Sequence, residues 1–130
     1  MMEKKRILLV DDEVSFTRLV KLELEEAGGY EVRIVNRAME ALAAAKAFKP
    51  DLILLDIIMP KLDGGMVAFQ LMREKTLERV PIVFLTAIVS KEDLGTQTRV
   101  VAGNPFIAKP VSTEDLISCI ERYLSEPVSH

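Results

Sequence analysis

Short apolar runs alternate with longer mixed segments along this chain. Five runs stand out: Ile7–Val10, Val32–Val35, Leu52–Leu55, Ile82–Leu85 and Phe106–Ala108. Runs of this length, bounded by turn-forming or charged residues, read as buried strands. The second, Glu31-Val32-Arg33-Ile34-Val35, is the most alternating, which predicts an edge strand with one wetter face.

The segments between them follow a helical period. Phe16, Leu19, Val20, Leu24 and Ala27 share one face of a first helix, which Gly28-Gly29 ends because glycine readily takes the left-handed cap conformation. Asn36 is expected to cap a second helix carrying Ala38, Ala41, Leu42 and Ala45, stopped before Pro50. A third follows Asp63-Gly64 and turns Val67, Leu71 and Met72 inward. Ser90-Lys91-Glu92-Asp93 and Ser112-Thr113-Glu114-Asp115 resemble capping boxes, with Asp in place of the usual Glu or Gln. The last helix packs through Leu116, Ile117, Ile120 and Leu124. The fourth has little amphipathicity, given Gly95 and the polar run Thr96-Gln97-Thr98.

The expected fold is (βα)5, a single domain over residues 1–130 with its core at about 6–124 and a tail at 125–130. Right-handed crossovers make it a doubly wound five-stranded parallel sheet, and the flavodoxin-like order 2-1-3-4-5 suits five strands. In that order the first and third strands are neighbours, and the topological switch lies between them.

Three aspartates end those two strands: Asp11 and Asp12 follow Val10, and Asp56 follows Leu55. Acidic groups just past buried strands are costly unless neutralised, and a divalent cation is the natural candidate. Thr86 ends the fourth strand and Lys109 the fifth. Singly, Asp12 reads more simply as a helix cap, while Thr86 could be only a strand-end hydroxyl and Lys109 a solvated charge. Asp56 is harder to explain that way, because Ile57-Ile58-Met59-Pro60 after it are apolar. Acids, hydroxyl and ammonium at one rim match phosphoryl capture on a carboxylate. Clustered carboxylates favour bound Mg²⁺, an aspartate can act as nucleophile, and a cation and a hydroxyl stabilise the transferred group.

Composition narrows the alternatives. The net charge of −3 argues against bulk nucleic-acid binding. Cys119 is the sole cysteine and His130, the last residue, the sole histidine, which removes zinc enzymes, serine–histidine hydrolases and disulfide scaffolds. Cys119 reads as a small buried residue. No apolar run approaches the roughly 20 residues that span a bilayer. The start, Met1-Met2-Glu3-Lys4-Lys5-Arg6, has no signal-peptide pattern, so a soluble cytoplasmic protein is expected.

From about Arg6 to Leu124 the chain resembles a response-regulator receiver domain of two-component signalling, the CheY-like family. The matching residues are Asp11-Asp12, then Asp56 within Asp56-Ile57-Ile58-Met59-Pro60, then Asp63-Gly64, Thr86-Ala87 and Lys109-Pro110. The resemblance implies that Asp56 accepts a phosphoryl group from a phosphohistidine on a histidine kinase or phosphotransfer protein. It implies Mg²⁺ held by Asp11, Asp12, Asp56 and the Ile58 backbone carbonyl, with Lys109 pairing with the phosphoryl group and Thr86 sensing it. It also implies a cis peptide before Pro110. Phe106 resembles the family's switch aromatic, and reads equally as a core phenylalanine on an edge strand. The chain would then be a phosphoprotein switch and not an enzyme, beyond self-catalysed transfer and slow autodephosphorylation.

Ile58 and Ile88 lie two residues after Asp56 and Thr86. Two isoleucines cannot hydrogen-bond a water, so a long-lived phosphoryl state is expected. The low-charge stretch Val100-Val101-Ala102-Gly103-Asn104-Pro105 reads either as a partner or dimer surface or as ordinary packing.

Other functions fit less well. An aspartyl-phosphate phosphohydrolase expects a second Asp where Ile58 stands. A flavodoxin-like cofactor binder needs a hydroxyl- and glycine-rich loop where Asp11-Asp12-Glu13 stand. A degenerate receiver, used only for protein contacts, would not need the complete acidic, hydroxyl and lysine set. Only Ser125-Glu126-Pro127-Val128-Ser129-His130 follow Leu124, so the expected output is a downstream protein partner or a domain outside these residues. Homodimerisation on activation is a further expectation; direct nucleic-acid or membrane contact is not.

Overall fold

A computed structural model describes residues 3–56, 58–59, 62–86, 100–101, 104–109 and 112–125. The apolar runs form one sheet. Strands β1 (Lys5–Val10), β2 (Tyr30–Val35), β3 (Leu52–Asp56), β4 (Ile82–Thr86) and β5 (Asn104–Ala108) lie parallel in the order β2-β1-β3-β4-β5. The expected order is the one observed. Val100–Val101 adds a short antiparallel strand outside β5, so part of that low-charge stretch serves the sheet itself. A second short antiparallel pair, Ile58–Met59 with Leu62–Asp63, follows β3.

Helices α1 (Val14–Ala27), α2 (Ala41–Phe48), α3 (Gly64–Arg73) and α4 (Thr113–Ser125) cover the sheet on both sides. Successive residues of a strand point to opposite faces. Ile7, Leu9, Leu52, Leu54, Val83 and Leu85 accordingly pack with Val20 and Leu24 of α1 and Leu116 and Ile120 of α4. Leu8, Val10, Ile53, Leu55 and Phe84 pack with Ala41, Ala45 and Phe48 of α2 and Val67 and Leu71 of α3. Burial on both faces is why β1 and β3 read as unbroken apolar runs. β2, at the edge, alternates as its sequence predicts.

The helix faces depart from the periodic pattern in places. On α1 the buried residues are Thr17, Val20 and Leu24, while Leu19 is exposed. Thr17 satisfies its hydroxyl by donating to the Val14 carbonyl one turn back, at 2.9 Å, so it can be buried and the inward face rotates away from Leu19. Ala27 is also exposed. Gly28 and Gly29 both have positive φ, but Gly28, at φ 87 and ψ 147, lies outside the left-handed helical region. That conformation occurs instead at Lys49, which ends α2 at φ 54 and ψ 63. Asn36 does not cap α2: a 3-10 turn over Ala38–Glu40 precedes the helix, and the Asn36 side chain points to the first strand's end. Ser112 does cap α4, its Oγ accepting from the Asp115 N–H at 3.1 Å. The expected fourth helix after Ser90, Ile88, Pro110 and the tail at 126–130 lie outside the described residues.

A hydrogen bond ties the start of β2 to α4. The buried Tyr30 hydroxyl donates to Glu121 Oε1 at 2.6 Å. Burial first, then the Glu121 carboxylate, raise the Tyr30 pKa. The unfolded chain ionises this phenol near its ordinary value of about 10, while the folded chain keeps it neutral. Its stabilisation is therefore present below about pH 10 and lost as pH rises through the folded pKa. Tyr30→Phe should lower unfolding free energy in urea by about 1–2 kcal/mol at neutral pH, and should flatten the alkaline decline in stability.

Candidate functional site

The sheet brings the predicted residues to one rim. Val10 pairs with Leu55, so Asp11 and Asp56 stand level at the ends of adjacent strands. Asp56 pairs with Leu85, one residue before Thr86, and Thr86 pairs with Ala108, one residue before Lys109. The order of strands, rather than any local sequence, makes these positions neighbours.

Asp11 is fully buried, Asp56 is 3% exposed and Asp12 is half-buried. Carboxylate oxygens of the three lie within 4.8 Å of one another. Such a cluster is repulsive, and Lys109 reaches into it. Its Nζ is 2.5 Å from Asp11 Oδ2, 3.1 Å from Glu13 Oε1 and 3.6 Å from Asp56 Oδ2. The ammonium also sits 4.4 Å from the centre of the Phe16 ring. Burial pulls the Lys109 pKa down, but the Asp11 hydrogen bond and the fields of Asp11, Asp56 and Glu13 outweigh it and leave the pKa raised.

The backbone holds Asp11 from several sides. Its N–H donates to the Val35 carbonyl at 3.0 Å, and its Oδ1 accepts from the Glu13 N–H at 2.9 Å. Asn36 Nδ2 donates to the Asp11 carbonyl at 2.7 Å and to Thr17 Oγ1 at 3.0 Å. No buried side-chain nitrogen or oxygen among the described residues lacks a hydrogen-bond partner. The rim thus offers a preorganised cluster of largely buried carboxylate oxygens with the Lys109 ammonium held among them.

A family model described as "Response regulator receiver domain" matches residues 7–121. The chain belongs to the response-regulator receiver family. It is 38% identical over 122 residues to the alkaline phosphatase synthesis transcriptional regulatory protein PhoP of Bacillus subtilis, covering 92% of this chain and 48% of that protein. It is 33% identical over 124 residues to the polar-differentiation response regulator DivK of Brucella anthropi, covering 94% of this chain and 98% of that one. The receiver domain protein (CheY-like) from Methanospirillum hungatei superposes with a TM-score of 0.79 at 31% identity, with 94% of each chain covered. The chain spans about half the length of several curated relatives it matches, PhoP among them.

Within this receiver, the acidic triad and Lys109 meet as the sequence predicts. Thr86 ends β4, Ile58 pairs with Asp63, and Phe106 of β5 pairs with Phe84 of β4. Four contributors escape a motif-based reading. Glu13 pairs with Lys109 although it follows the acidic pair as an ordinary exposed residue. Phe16, expected in the core, lies beneath the ammonium. Thr17 and Asn36 brace Asp11 from behind; the detectable signal was a hydroxyl three residues before Val20 on an otherwise apolar face. No helix among the described residues is long and apolar enough to cross a membrane.

Cys119 lies against the α1–α4 side of the core, half-buried. Burial pushes its thiol pKa up to about 11, with Arg122 opposing. It should react with iodoacetamide at pH 8 roughly tenfold or more slowly than a free cysteine, as followed by intact mass. A second outcome concerns the ion cluster. Lys109→Ala leaves buried carboxylates uncompensated and should cost about 3 kcal/mol in unfolding free energy without divalent cations.

Proposed function

We propose that this receiver is a phosphorylation-controlled switch in which Asp56 is the phosphoryl acceptor and Mg²⁺ the cofactor. The observation that carries the reading is the buried carboxylate cluster at the topological switch point with Lys109 3.6 Å from Asp56. The donor set fits the ion: three carboxylates, no sulfur and no imidazole suit a small hard cation. Asp11, Asp12 and Asp56 would hold it, with the Ile58 backbone carbonyl. When bound, it neutralises charge on the transferring phosphoryl oxygens.

The chain's own groups do the rest. An Asp56 carboxylate oxygen attacks phosphorus, forming a new O–P bond. The N–P bond of the donor phosphohistidine breaks, and its electron pair stays on the imidazole nitrogen. Lys109, already beside Asp56, pairs with the incoming oxygens. Thr86, one strand over, donates its hydroxyl to the phosphoryl group and couples β4 to β5, where Phe106 responds. The donor is a histidine kinase or a phosphotransfer protein, as receiver membership in two-component signalling supports. The output goes to a downstream protein or a linked domain. Self-association on activation would use the Thr86 and Phe106 side, and the cytoplasm is the expected location.

Incubation with acetyl phosphate should add one phosphoryl group by intact mass, in wild type with Mg²⁺ but not without it and not in Asp56→Asn. Absence of any gain in wild type would favour a receiver used only for contacts. The phosphorylated form should persist through purification, because Ile58 and Ile88 offer no group to orient a hydrolytic water. Rapid loss without a phosphatase would overturn the shielding argument.

A further inference from the structure

Strand β2 lies at the edge of the sheet and, among the described residues, pairs only with β1. Along it, backbone groups alternate between the two sides. The Gly29 carbonyl accepts from Lys5 and the Val35 carbonyl from Asp11, so the odd-numbered positions face β1. Tyr30, Val32 and Ile34 therefore turn their N–H and C=O groups outward. An outward row of this kind, on a strand as rich in valine and isoleucine as this one, is a template for strand addition.

The middle residue of that row is taken. Glu25 Oε2 accepts from the Val32 N–H at 3.0 Å, and Lys21 Nζ donates to the Val32 carbonyl at 2.7 Å. Lys21 and Glu25 also pair with each other at 2.9 Å, one turn apart on α1. Two side chains thus supply the donor and acceptor that a neighbouring strand would supply. The Glu25 carboxyl pKa lies below its ordinary value, first through the Val32 N–H and then through Lys21, both of which donate to the same oxygen, Oε2.

We propose that the Lys21–Glu25 pair is an edge guard: by occupying both backbone groups of Val32 it keeps β2 from pairing with β2 of a second copy of this chain. A two-fold, antiparallel β2–β2 pairing would have to break both bonds at the centre of the contact. The edge lies across the sheet from β5, so this control is independent of the phosphorylation switch.

The test compares wild type, Lys21→Ala/Glu25→Ala and an Asp56→Asn version of the double variant, all without phosphodonor. Alanine preserves α1, being the strongest helix former. Amide hydrogen exchange resolved at Val32 and light scattering across a concentration series are the readouts, with exchange of the β1 and β3 amides reporting that the fold is kept. In wild type the Val32 amide should be protected and the protein monomeric. In dilute double variant, protection at Val32 should fall roughly tenfold or more, and at higher concentration both double variants should dimerise. Adding Ile34→Pro, which removes a neighbouring outward N–H, should restore the monomer. A double variant that loses Val32 protection yet stays monomeric at every concentration would overturn the guard, as would unchanged protection at Val32.

Discussion

Burial of like charge at the ends of β1 and β3 is the constraint on which the rest of this molecule depends. Asp11 is fully buried and Asp56 nearly so, and their carboxylates lie close together with that of Asp12. Desolvation and mutual repulsion both oppose this arrangement. What makes it tolerable is Lys109, delivered by a different strand from the far half of the sheet. The ammonium touches Asp11 and Glu13 and lies near Asp56, so a single side chain at the end of β5 links the strands on either side of the switch point. The hydrogen bonds that Asp11 makes with Val35, Glu13 and Asn36 matter for the same reason: they fix Asp11 where solvent cannot.

The same electrostatics explain how a chemical event at Asp56 can reach the surface. In the proposed reaction, adding phosphoryl oxygens beside Asp56 changes which acceptors compete for Lys109. Lys109 follows Ala108, and Ala108 pairs with Thr86 across β4 and β5. A change in what holds the lysine is therefore applied to strands already in register, not to a loose loop. Packed elements shift between discrete arrangements rather than deform smoothly, which is what a switch requires.

The fold was legible because doubly buried strands leave a simple trace. Leu52-Ile53-Leu54-Leu55 is apolar on both faces, and the structure buries all four residues. The acidic triad and Lys109 were legible together, because the ends of three different strands place acids and an ammonium at one rim, although Asp12 and Lys109 each have an ordinary explanation when taken singly. Harder to see was everything set by hydrogen bonds instead of hydrophobicity. Leu19 looked inward by period, yet Thr17 took the inward position because its hydroxyl could be satisfied within its own helix. Asn36 looked like a helix cap, since asparagine caps helices well, but the Asp11 carbonyl and Thr17 were the stronger claim on its amide. Lys49 adopts a left-handed conformation that composition alone would assign to the glycines. In each case the deciding partner is distant in sequence or invisible to a period.

A parallel sheet of this order must end in two edges, and this chain treats them differently. Beyond β5, Val100–Val101 adds backbone groups of its own, antiparallel and from the same chain. Beyond β2 no strand lies among the described residues; the Lys21–Glu25 pair reaches around from α1 to the one central residue. In the proposed switch, strand addition suits the edge next to β4 and β5, because backbone pairing there could be made or lost if β5 moved. Side-chain capping suits the other edge, because an i,i+4 pair anchored on a rigid helix holds its position whatever happens at the rim. With the guard in place at β2, any change in partner binding in that switch would fall to the half of the molecule that carries Thr86 and Lys109.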